Sequence, residues 1–407
     1  MIGLGYVGLP LAIALVEAGV PVVGVDTSAA RIAELIAGRA CIEDVGDDRL
    51  GQALTHGLTV TPDIVHARDC TSYVICVPTP LDDGLPDLAA VESAARAIGS
   101  VISNGDLLVL ESTTYPGTTE EVVGPLVEST SGLARGDYLL AYSPERIDPG
   151  NPSYGISNTP KVVGGATPDA AKAAAELYGQ VTSEVVLTKG TREAEMAKLL
   201  ENTFRHVNIA LVNEMAVFCR ELGVDLWDAI DAAATKPFGF MPFTPGPGVG
   251  GHCIPVDPSY LSWRVKKLGF SFRFVELAQE VNARMPAYVV SRLTDLLNDA
   301  GLAVSRSRIL CLGVAYKPGV ADCRESPALE VMGLLAGKGA TVVYSDPHVP
   351  AVGDLTSEPL TEQALAAADA VLVLTAHREF DWDLVGRAKL VLDTRAALPE
   401  SDTVVRL

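Results

Sequence analysis

A glycine- and proline-rich stretch, positions 246 to 258, carries the side chains with the clearest potential for chemistry. Its four glycines and three prolines exclude a helix interior or a central strand and predict a loop whose backbone can approach a ligand closely. The loop contains Cys253, with His252 before it and Asp257 four residues later. A cysteine in a polar loop is more often accessible and reactive than one in a core. We therefore interpret Cys253 as a nucleophile.

A second glycine-rich stretch, at positions 3 to 8, has the spacing G-x-G-x-x-G. Residues 9–17 read as a helix, and residues 22–25 read as a strand that ends at Asp26. This order is typical of a βαβ unit that binds a dinucleotide, with the pyrophosphate at the helix N-terminus and the acid on the ribose hydroxyls. An acid at this position favours NAD over NADP. Arg31 either reaches the same ribose or is a solvated helix charge.

The strand that should precede this glycine loop is reduced to Met1 and Ile2. Because that strand lies near the centre of a dinucleotide-binding sheet, its loss would be strongly destabilising. We therefore expect the given sequence to be truncated at its start, or the true start to lie upstream.

Alternating strands and helices continue to about residue 188. Apolar runs at 74–77, 107–110 and 138–142 read as strands, and small or polar residues follow each of them. The carboxyl ends of parallel strands form the ligand-binding edge of such sheets. This places Thr79, Thr113 and Glu145 at the predicted edge.

One long helix is predicted from Thr191 to Leu222, since this segment has no internal glycine or proline. Its apolar residues lie on more than one face, so we expect it to join two domains or to form a homodimer interface. Lys198 and Asn202 are four residues apart and therefore share one face.

A second α/β segment follows, with strands predicted at 309–312, 340–344, 370–374 and 389–393. Its single loop glycine, Gly313, fits a nucleotide better than a dinucleotide, and Lys317 and Arg324 offer cationic groups for a diphosphate. The predicted fold class is α/β, with two Rossmann-like domains joined by a long central helix. The predicted domains are residues 1–188, 189–297 and 298–407.

Composition narrows the choice of partners. The 407 residues carry 51 acidic and 31 basic side chains, a formal charge of −20, with no strongly basic run, so we expect no nucleic-acid partner. Seven scattered cysteines without a C-x-x-C pair favour reduced thiols in the cytoplasm over disulfides or a zinc site, and we expect no metal. The apolar segment 8–25 contains Glu17 and is interrupted by Gly19 and Pro21, so we expect no signal or membrane segment.

Five motifs together resemble the UDP-glucose/GDP-mannose (nucleotide-sugar) 6-dehydrogenase family. They are Gly3-Leu4-Gly5-Tyr6-Val7-Gly8, Ser143-Pro144-Glu145, Lys198-x-x-x-Asn202, Gly250-Gly251-His252-Cys253 and Tyr316-Lys317-Pro318. Within that family, segments 237–243 and 252–258 resemble the branch that oxidises UDP-N-acetylhexosamines. The UDP-glucose enzymes more often have a second glutamate four residues after Glu145, where this chain has Pro149.

The resemblance implies a four-electron oxidation of a sugar C6 alcohol to a carboxylate with two NAD⁺, for surface polysaccharide precursors. A Cys253 thiolate would add to the intermediate aldehyde, and the second oxidation would leave a thioester that water hydrolyses. Lys198 and Asn202 would stabilise each oxyanion, and Glu145 would act as general base.

The resemblance also implies three sets of site residues. The catalytic set is Cys253, Lys198, Asn202, Glu145, Asp257 and Thr113. The cofactor set is Gly3, Gly5, Tyr6, Val7, Gly8, Asp26, Arg31, Thr79 and Arg324. The substrate set is Glu145, Arg146, Lys198, Asn202, Gly246, Gly248, Gly250, His252, Lys317 and Arg395.

Three alternatives remain open on the sequence. The enzyme could act on UDP-glucose, or it could be a two-electron dehydrogenase of the 6-phosphogluconate or hydroxy-acid type, which needs no cysteine. A non-catalytic nucleotide-binding protein is a third reading. The sequence also leaves open whether the sugar is the N-acetylglucosamine or the N-acetylmannosamine epimer.

Overall fold

The structure is a computed structural model of the chain. It describes residues 1–40, 42, 45–82, 84–148, 151, 153–251, 254 and 256–407. Two compact units make up the chain: Met1–Glu201 with Ser259–Phe270, and Asn202–Pro258 with Ser271–Leu407. Parallel sheets and a long helix confirm the predicted α/β class with a central helix. Among the described residues, no helix has both the length and the apolar composition that crossing a membrane requires.

The first unit alternates strands with helices. Its strands are β1 (Val22–Val25), β2 (Leu58–Thr61), β3 (Ser72–Ile75), β4 (Leu81–Asp82), β5 (Leu85–Pro86), β6 (Leu107–Leu110), β7 (Leu139–Tyr142), β8 (Lys161–Gly165) and β9 (Val185–Leu187). Its helices are α1 (Gly8–Glu17), α2 (Ala29–Ile36), α3 (Asp47–His56), α4 (Ala89–Gly99), α5 (Gly124–Ser131) and α6 (Pro168–Tyr178), with a 3₁₀ turn at Ile64–Ala67 and a π-helical turn at Thr119–Val123.

The main sheet of this unit has the order β3-β6-β7-β8-β9, parallel except for the antiparallel pair β7–β8. Because β3, β6 and β7 run in one direction, the loops that follow them emerge at one edge. Lys161 begins β8 at the same edge, because β8 runs opposite to β7. The strands therefore bring Thr79, Glu111, Thr113, Glu145 and Lys161 to one side of the sheet.

Ile2 joins the β1–β2 pair to this main sheet. It forms parallel bridges with both Val25 and Ile75. Its N–H donates to the carbonyl of Val74 at 2.8 Å, and its carbonyl accepts from the N–H of Cys76 at 2.7 Å. Met1 and Ile2 thus occupy the central strand position that the sequence predicts for this segment.

The middle of the chain is helical. It contains α7 (Thr191–Glu221), α8 (Leu226–Ala234), α9 (Asp257–Lys267) and α10 (Arg273–Asp299). Helix α7 confirms the predicted long helix and ends one residue before the predicted end. Its buried residues include Leu199, Val212 and Ala216, whereas Leu200 and Leu211 are more than half exposed. The predicted apolar residues on several faces are therefore present.

The second unit ends in a five-stranded parallel sheet of order β11-β10-β14-β15-β16. Its strands are β10 (Arg308–Leu312), β11 (Thr341–Ser345), β12 (Ala351–Val352), β13 (Leu355–Thr356), β14 (Ala370–Val373), β15 (Val391–Asp393) and β16 (Val404–Arg406). Its helices are α11 (Pro327–Gly337), α12 (Glu362–Ala367) and α13 (Trp382–Val385), with a 3₁₀ turn at Val304–Arg306. Each unit has its own apolar core on both faces of its sheet.

Candidate active site

The first glycine loop has one glycine for packing, one for the turn and one that faces open space. Gly3 has φ +93°, and a Cβ there would lie 2.7 Å from the carbonyl oxygen of Cys76. A Cβ on Gly8 would overlap the carbonyl oxygen of Gly3, whereas a Cβ on Gly5 would meet nothing within 4 Å. Only the middle glycine therefore leaves space beside the backbone. This is the space in which a pyrophosphate approaches a helix N-terminus, so the loop fits the dinucleotide that the sequence predicts.

Asp26 follows β1 and is 7% exposed. Its Oδ2 accepts from the N–H of Leu4 at 2.9 Å and from Arg31 Nη1 at 3.0 Å, and its Oδ1 accepts from the N–H of Ser28 at 2.9 Å. Burial acts to raise the pKa of this carboxyl, but the hydrogen bonds outweigh burial and the pKa is lowered. Asp26 is thus a fixed anion at the end of β1. The sequence leaves open whether Arg31 reaches the ribose or is a solvated helix charge. In the structure, Arg31 forms an ion pair with Asp26.

The loops after β3 and β6 are tied together at the ligand-binding edge. The hydroxyl of Thr79 donates to the carbonyl of Thr113 at 2.8 Å. The buried Tyr260, on α9, donates its hydroxyl to the carbonyl of Thr79 at 2.7 Å. Tyr260 therefore fixes the position of the predicted cofactor loop. No sequence pattern marks Tyr260 for this role, although it follows Asp257 by only three residues.

Glu145 follows β7, and its side chain is 12% exposed. Its Oε1 accepts from the N–H of Ile147, and its Oε2 lies 3.5 Å from Lys161 Nζ. Burial acts to raise the pKa of Glu145, but the charges of Lys161 and Lys198 and the Ile147 hydrogen bond outweigh burial and lower it. The structure therefore brings together Glu145 and Lys198 and keeps Glu145 ionised, as a general base requires.

Arg146, the next residue, pairs with helix α7 of the same unit. Its Nη2 lies 2.8 Å from Glu201 Oε1, and its Nη1 donates to the carbonyl of Pro160 at 2.6 Å. These contacts give Arg146, which the sequence analysis assigned to substrate, protein partners of its own.

Asn202 and Asp257 lie in direct contact. The amide nitrogen of Asn202 donates to Asp257 Oδ2, and both residues are buried, at 5% and 3% exposure. Lys198, one turn earlier on α7, is 7% exposed. Cys253 and His252, the other predicted members of this set, lie outside the described residues.

The second glycine loop packs against the loops of the C-terminal sheet. A Cβ on Gly246 would lie 2.5 Å from Arg395 Nη1, and one on Gly250 would lie 2.7 Å from the carbonyl oxygen of Glu325. A Cβ on Gly251, at φ +88°, would lie 2.8 Å from the ring of Tyr316. The sequence predicts that the backbone of this stretch can approach a ligand closely. In the structure, the neighbouring loops lie so close that positions 246, 250 and 251 have no room for a side chain.

An amide network holds the start of this loop. The N–H of Gly246 donates to Asn213 Oδ1 at 2.9 Å, and Asn213 Nδ2 donates to Asn282 Oδ1 at 2.9 Å. Both asparagines are buried. They are further positioning residues that no local sequence pattern indicates, because they lie on two helices far apart in sequence.

Arg395 offers a cation beside this loop. Its Nε donates to the carbonyl of Leu374 at 2.8 Å, and burial lowers the pKa of its guanidinium to about 10. The next residue, Ala396, has φ +50°, a left-handed conformation that costs energy for a residue with a Cβ. Glu325, next to Arg324, has φ +53°. Strain of this kind concentrates at functional sites.

The other two predicted cations of this unit have partners near to them in sequence. Arg324 forms a two-pronged contact with Asp322, at 2.9 and 2.8 Å. Lys317 Nζ lies 5.8 Å from the centre of the Tyr316 ring. Both residues belong to the segment between β10 and α11, at the carboxyl end of the C-terminal sheet.

His348, His377 and Glu379 form the group of metal-type donors found among the described residues. Both ring nitrogens of His377 are already used: the N–H of Gly319 donates to Nδ1 at 3.2 Å, and Nε2 donates to Asp346 Oδ2 at 3.1 Å. Asp346 itself accepts from the N–H groups of Val314 and Ala315. His377 is therefore a hydrogen-bonded support for the loop after β10, and His348 Nε2 lies 3.2 Å from Glu379 Oε1.

Family models match along most of the chain. The NAD-binding, central and UDP-binding domains of the UDP-glucose/GDP-mannose dehydrogenase family match residues 1–182, 192–284 and 310–400. The chain is 38% identical over 410 residues to the UDP-N-acetyl-D-mannosamine dehydrogenase of Pyrococcus horikoshii, covering 98% of this chain and 96% of that protein. It is 36% identical over 420 residues to the UDP-N-acetyl-D-glucosamine 6-dehydrogenase of Pseudomonas aeruginosa, covering 100% and 98%.

A solved structure of UDP-D-ManNAc dehydrogenase from Pyrococcus horikoshii superposes with a TM-score of 0.90 at 36% identity, covering 100% of this chain and 97% of that chain. Fold, cofactor loop and similarity together define an NAD-dependent nucleotide-sugar dehydrogenase. This chain belongs to the UDP-glucose/GDP-mannose dehydrogenase family.

Proposed function

We propose that this enzyme oxidises the C6 alcohol of a UDP-N-acetylhexosamine, either the N-acetylglucosamine or the N-acetylmannosamine epimer, to the carboxylate. The names of the relatives that match over nearly their whole lengths support this substrate class. The free thiols of Cys70, Cys76, Cys219, Cys311 and Cys323 favour a reducing compartment such as the cytoplasm.

NAD⁺ would be held by the loop Gly3–Gly8, with Asp26 on its adenosine ribose and Arg31, Thr79 and Arg324 as further contacts. When bound, it accepts a hydride from C6 in each of the two oxidations. The open space beside Gly5 and the fixed anion at Asp26 support this placement.

Cys253 would form the covalent intermediate. Its thiolate adds to the C6 aldehyde and gives a hemithioacetal, and loss of the second hydride leaves a thioester. Water then breaks the carbon–sulfur bond, which releases the uronate and returns the thiolate. Lys198 and Asn202 donate to the oxyanions of the tetrahedral species. Asp257, bonded to Asn202, and Thr113 order water.

Glu145 would take the proton of the hydrolytic water. This assignment carries the proposal, because Glu145 is nearly buried yet Lys161, the N–H of Ile147 and Lys198 together lower its pKa. A carboxylate that stays ionised in a site with little access to solvent is suited to act as a general base.

The UDP group would bind to the C-terminal unit. Arg395 and Lys317 supply positive charge, and the loop from Thr244 to Gly250 packs on the former. His252 and Arg146 complete the proposed substrate contacts. In a chain with net charge −20, these local cations provide the complement to a diphosphate.

A substrate panel with NADH stoichiometry tests this function. We expect two NADH per sugar with UDP-N-acetylglucosamine or UDP-N-acetylmannosamine, and lower kcat/KM with UDP-glucose. Cys253→Ser should stop turnover to the uronate, whereas Cys323→Ser should preserve it. Preference for UDP-glucose would replace the substrate class. One NADH per substrate, or full activity in Cys253→Ala, would contradict the covalent mechanism.

We further propose a homodimer through the 191–222 helix. On the part of α7 in the second unit, Phe204, Leu211 and Phe218 are 45, 53 and 46% exposed, and Leu222 beyond its end is 70% exposed. Together with Asn208 and Met215 they repeat at alternating spacings of four and three, the pattern of helices that pack side by side. If this face of α7 packed against the same face of a second copy of the chain, these side chains would be buried.

Light scattering coupled to size-exclusion chromatography tests the dimer. Leu211→Arg with Phe218→Arg should give a monomer, because two charges would be buried at the interface. Leu187→Arg, at a residue that is 55% exposed on β9, is the matched control and should leave the mass unchanged. A wild-type monomer at micromolar concentration, or a double variant with unchanged mass, argues against this interface.

A further inference from the structure

A cluster of three buried polar side chains lies next to Glu145 in the first unit. It consists of Glu111 immediately after β6, Lys161 at the start of β8 and Tyr178 at the end of α6. The side chain of Glu111 is fully buried, and that of Lys161 is 13% exposed. Sheet order explains the arrangement: β6, β7 and β8 are neighbours, so the residues at their ends lie side by side.

The contacts within this group form a continuous chain. Lys161 Nζ contacts Glu111 Oε1 and lies 3.5 Å from Glu145 Oε2. The hydroxyl of Tyr178 donates to Glu111 Oε2 at 2.6 Å. Lys161 Nζ also lies 5.0 Å from the centre of the Tyr178 ring. One ammonium therefore bridges two carboxylates, and only Glu145 belongs to the proposed site.

The charges do not balance within this group. Two carboxylates face one buried ammonium, and desolvation makes the second negative charge costly. Burial raises the pKa of Glu111 to about 7, while the pKa of Glu145 is lowered as described above. Near neutral pH the two carboxyls differ in proton affinity, as acid–base pairs do.

Other ionisable groups adjoin these residues: Cys76 acts on Glu111 and Lys161, Lys198 acts on Glu145, and Arg146 lines the cavity beside them. Burial raises the pKa values of the Cys76 thiol and the Tyr178 hydroxyl well above their ordinary values, so both stay protonated. Beside the group, a cavity of about 20 Å³ is lined by Glu145, Lys161 and Tyr178 among others, enough space for one water.

We propose that Glu111 receives, through Lys161, the proton that Glu145 removes from the hydrolytic water. Protonated Glu145 gives its proton to Lys161 Nζ while Lys161 gives one of its own to Glu111. The ammonium is unchanged, one carboxyl loses a proton and the other gains it. Glu145 is thereby returned to its ionised form inside the site. Glu111 and Lys161 are positioning residues that act through Glu145, and the inference rests on the proposed role of Glu145.

Titration of the resting protein tests the pair without any substrate. With ¹³C-labelled glutamate, NMR should show two carboxyls that titrate near pH 7, those of Glu111 and Glu195, and one of the two signals should disappear in Glu111→Gln. Tyr178→Phe removes a hydrogen bond to the ionised form, so this titration should move to higher pH. If Glu111→Gln removes none of the carboxyl titrations near pH 7, or if wild type shows none, the proposal is contradicted.

The pH dependence of kcat tests the relay itself. Wild type should show an inflection near pH 7 that Glu111→Gln lacks, with kcat reduced about tenfold or more. Lys161→Met should move the acid limb to higher pH by about one unit or more, because a nearby cation no longer favours ionised Glu145. Lys161→Arg should restore most of that shift.

The control variant is Glu176→Gln, on the exposed face of α6, which should leave the profile unchanged. If wild type oxidises no UDP-sugar while the NMR titration behaves as expected, the proposed function fails and the carboxyl pair stands. If turnover is normal and Glu111→Gln keeps both kcat and the inflection, the function stands and the relay is wrong.

Discussion

At the scale of single residues, hydrogen-bond donors and charge partners decide which buried carboxyls stay ionised. Asp346 accepts four backbone N–H groups and the ring of His377. These interactions outweigh burial and lower its pKa to about 2. Glu195 also accepts from Gly117 and Thr119, yet burial dominates and raises its pKa to about 7. Similar carboxyls therefore respond in opposite ways.

Glu195 gives a prediction about stability and pH. Its folded pKa of about 7 lies above the value of 4.5 for an unperturbed group, so the folded state binds more protons between these values. Stability contributed by Glu195 is present below pH 4.5 and is lost as the pH rises through 7. Relative to Glu195→Gln, wild type should lose on the order of 3 kcal/mol across this window.

Urea unfolding of both proteins from pH 4.5 to 8 measures this difference. Glu193→Gln is the matched control, because Glu193 lies on the exposed side of the same first turn of α7. Its stability should run parallel to that of wild type. A constant difference between wild type and Glu195→Gln at all pH values would contradict the raised pKa, and a difference that shrinks as the pH rises would contradict its sign.

At the scale of elements, the loop 246–251 shows how a segment without regular structure is fixed. Its glycines let the chain pass within contact distance of Tyr316, Glu325 and Arg395. The loop thus brings the chain next to the cations proposed for the diphosphate. Its conformation is determined by neighbours that belong to other elements.

Substitution at Gly250 should disturb this packing. A new methyl group would lie 2.7 Å from a backbone oxygen and 2.9 Å from the ring of Pro327, and backbone cannot move aside easily. We expect Gly250→Ala to destabilise the second unit by about 1–3 kcal/mol and to weaken UDP binding, as measured by calorimetric titration and thermal unfolding.

Gly333→Ala provides the contrast for this test. Gly333 is exposed on α11 and a Cβ there would meet nothing within 4 Å. An alanine in a helix interior should stabilise the same unit by roughly 0.5–1 kcal/mol. Equal effects of the two substitutions would mean that the close contacts of Gly250 do not constrain the loop.

At the scale of the whole molecule, two units carry separate cores. Residues up to 194 form the cores of the first unit, and residues from 289 onwards form those of the C-terminal sheet. A ligand stabilises the unit to which it binds by mass action. NAD⁺ and UDP should therefore stabilise different parts of the chain.

Hydrogen exchange with and without each ligand checks this expectation. UDP at about 100 times its Kd should add ~2.7 kcal/mol of protection to amides of β10, β14 and β15, with little change in β3, β6 and β7. NAD⁺ should produce the opposite distribution. Equal protection of both sheets by either ligand would contradict the expectation that NAD⁺ and UDP bind to different units.

The sequence alone determined much of the fold because its signals are local. Strand β1, the long helix α7 and the strands of the C-terminal sheet follow from periodicity and from the positions of glycine and proline. The glycine spacing at residues 3–8 and the acid at position 26 predicted the cofactor class, since each residue type serves one geometric need of that loop.

Tertiary structure alone brought Lys161 and Glu111 beneath Glu145, placed Tyr260 on the carbonyl of Thr79 and joined Asn213 to Asn282. These partners are separated by 16 to 181 positions, and no local pattern relates residues so far apart. Whether a carboxyl is ionised or protonated near neutral pH depends on its burial and on the charges beside it. Those are properties of the packed chain.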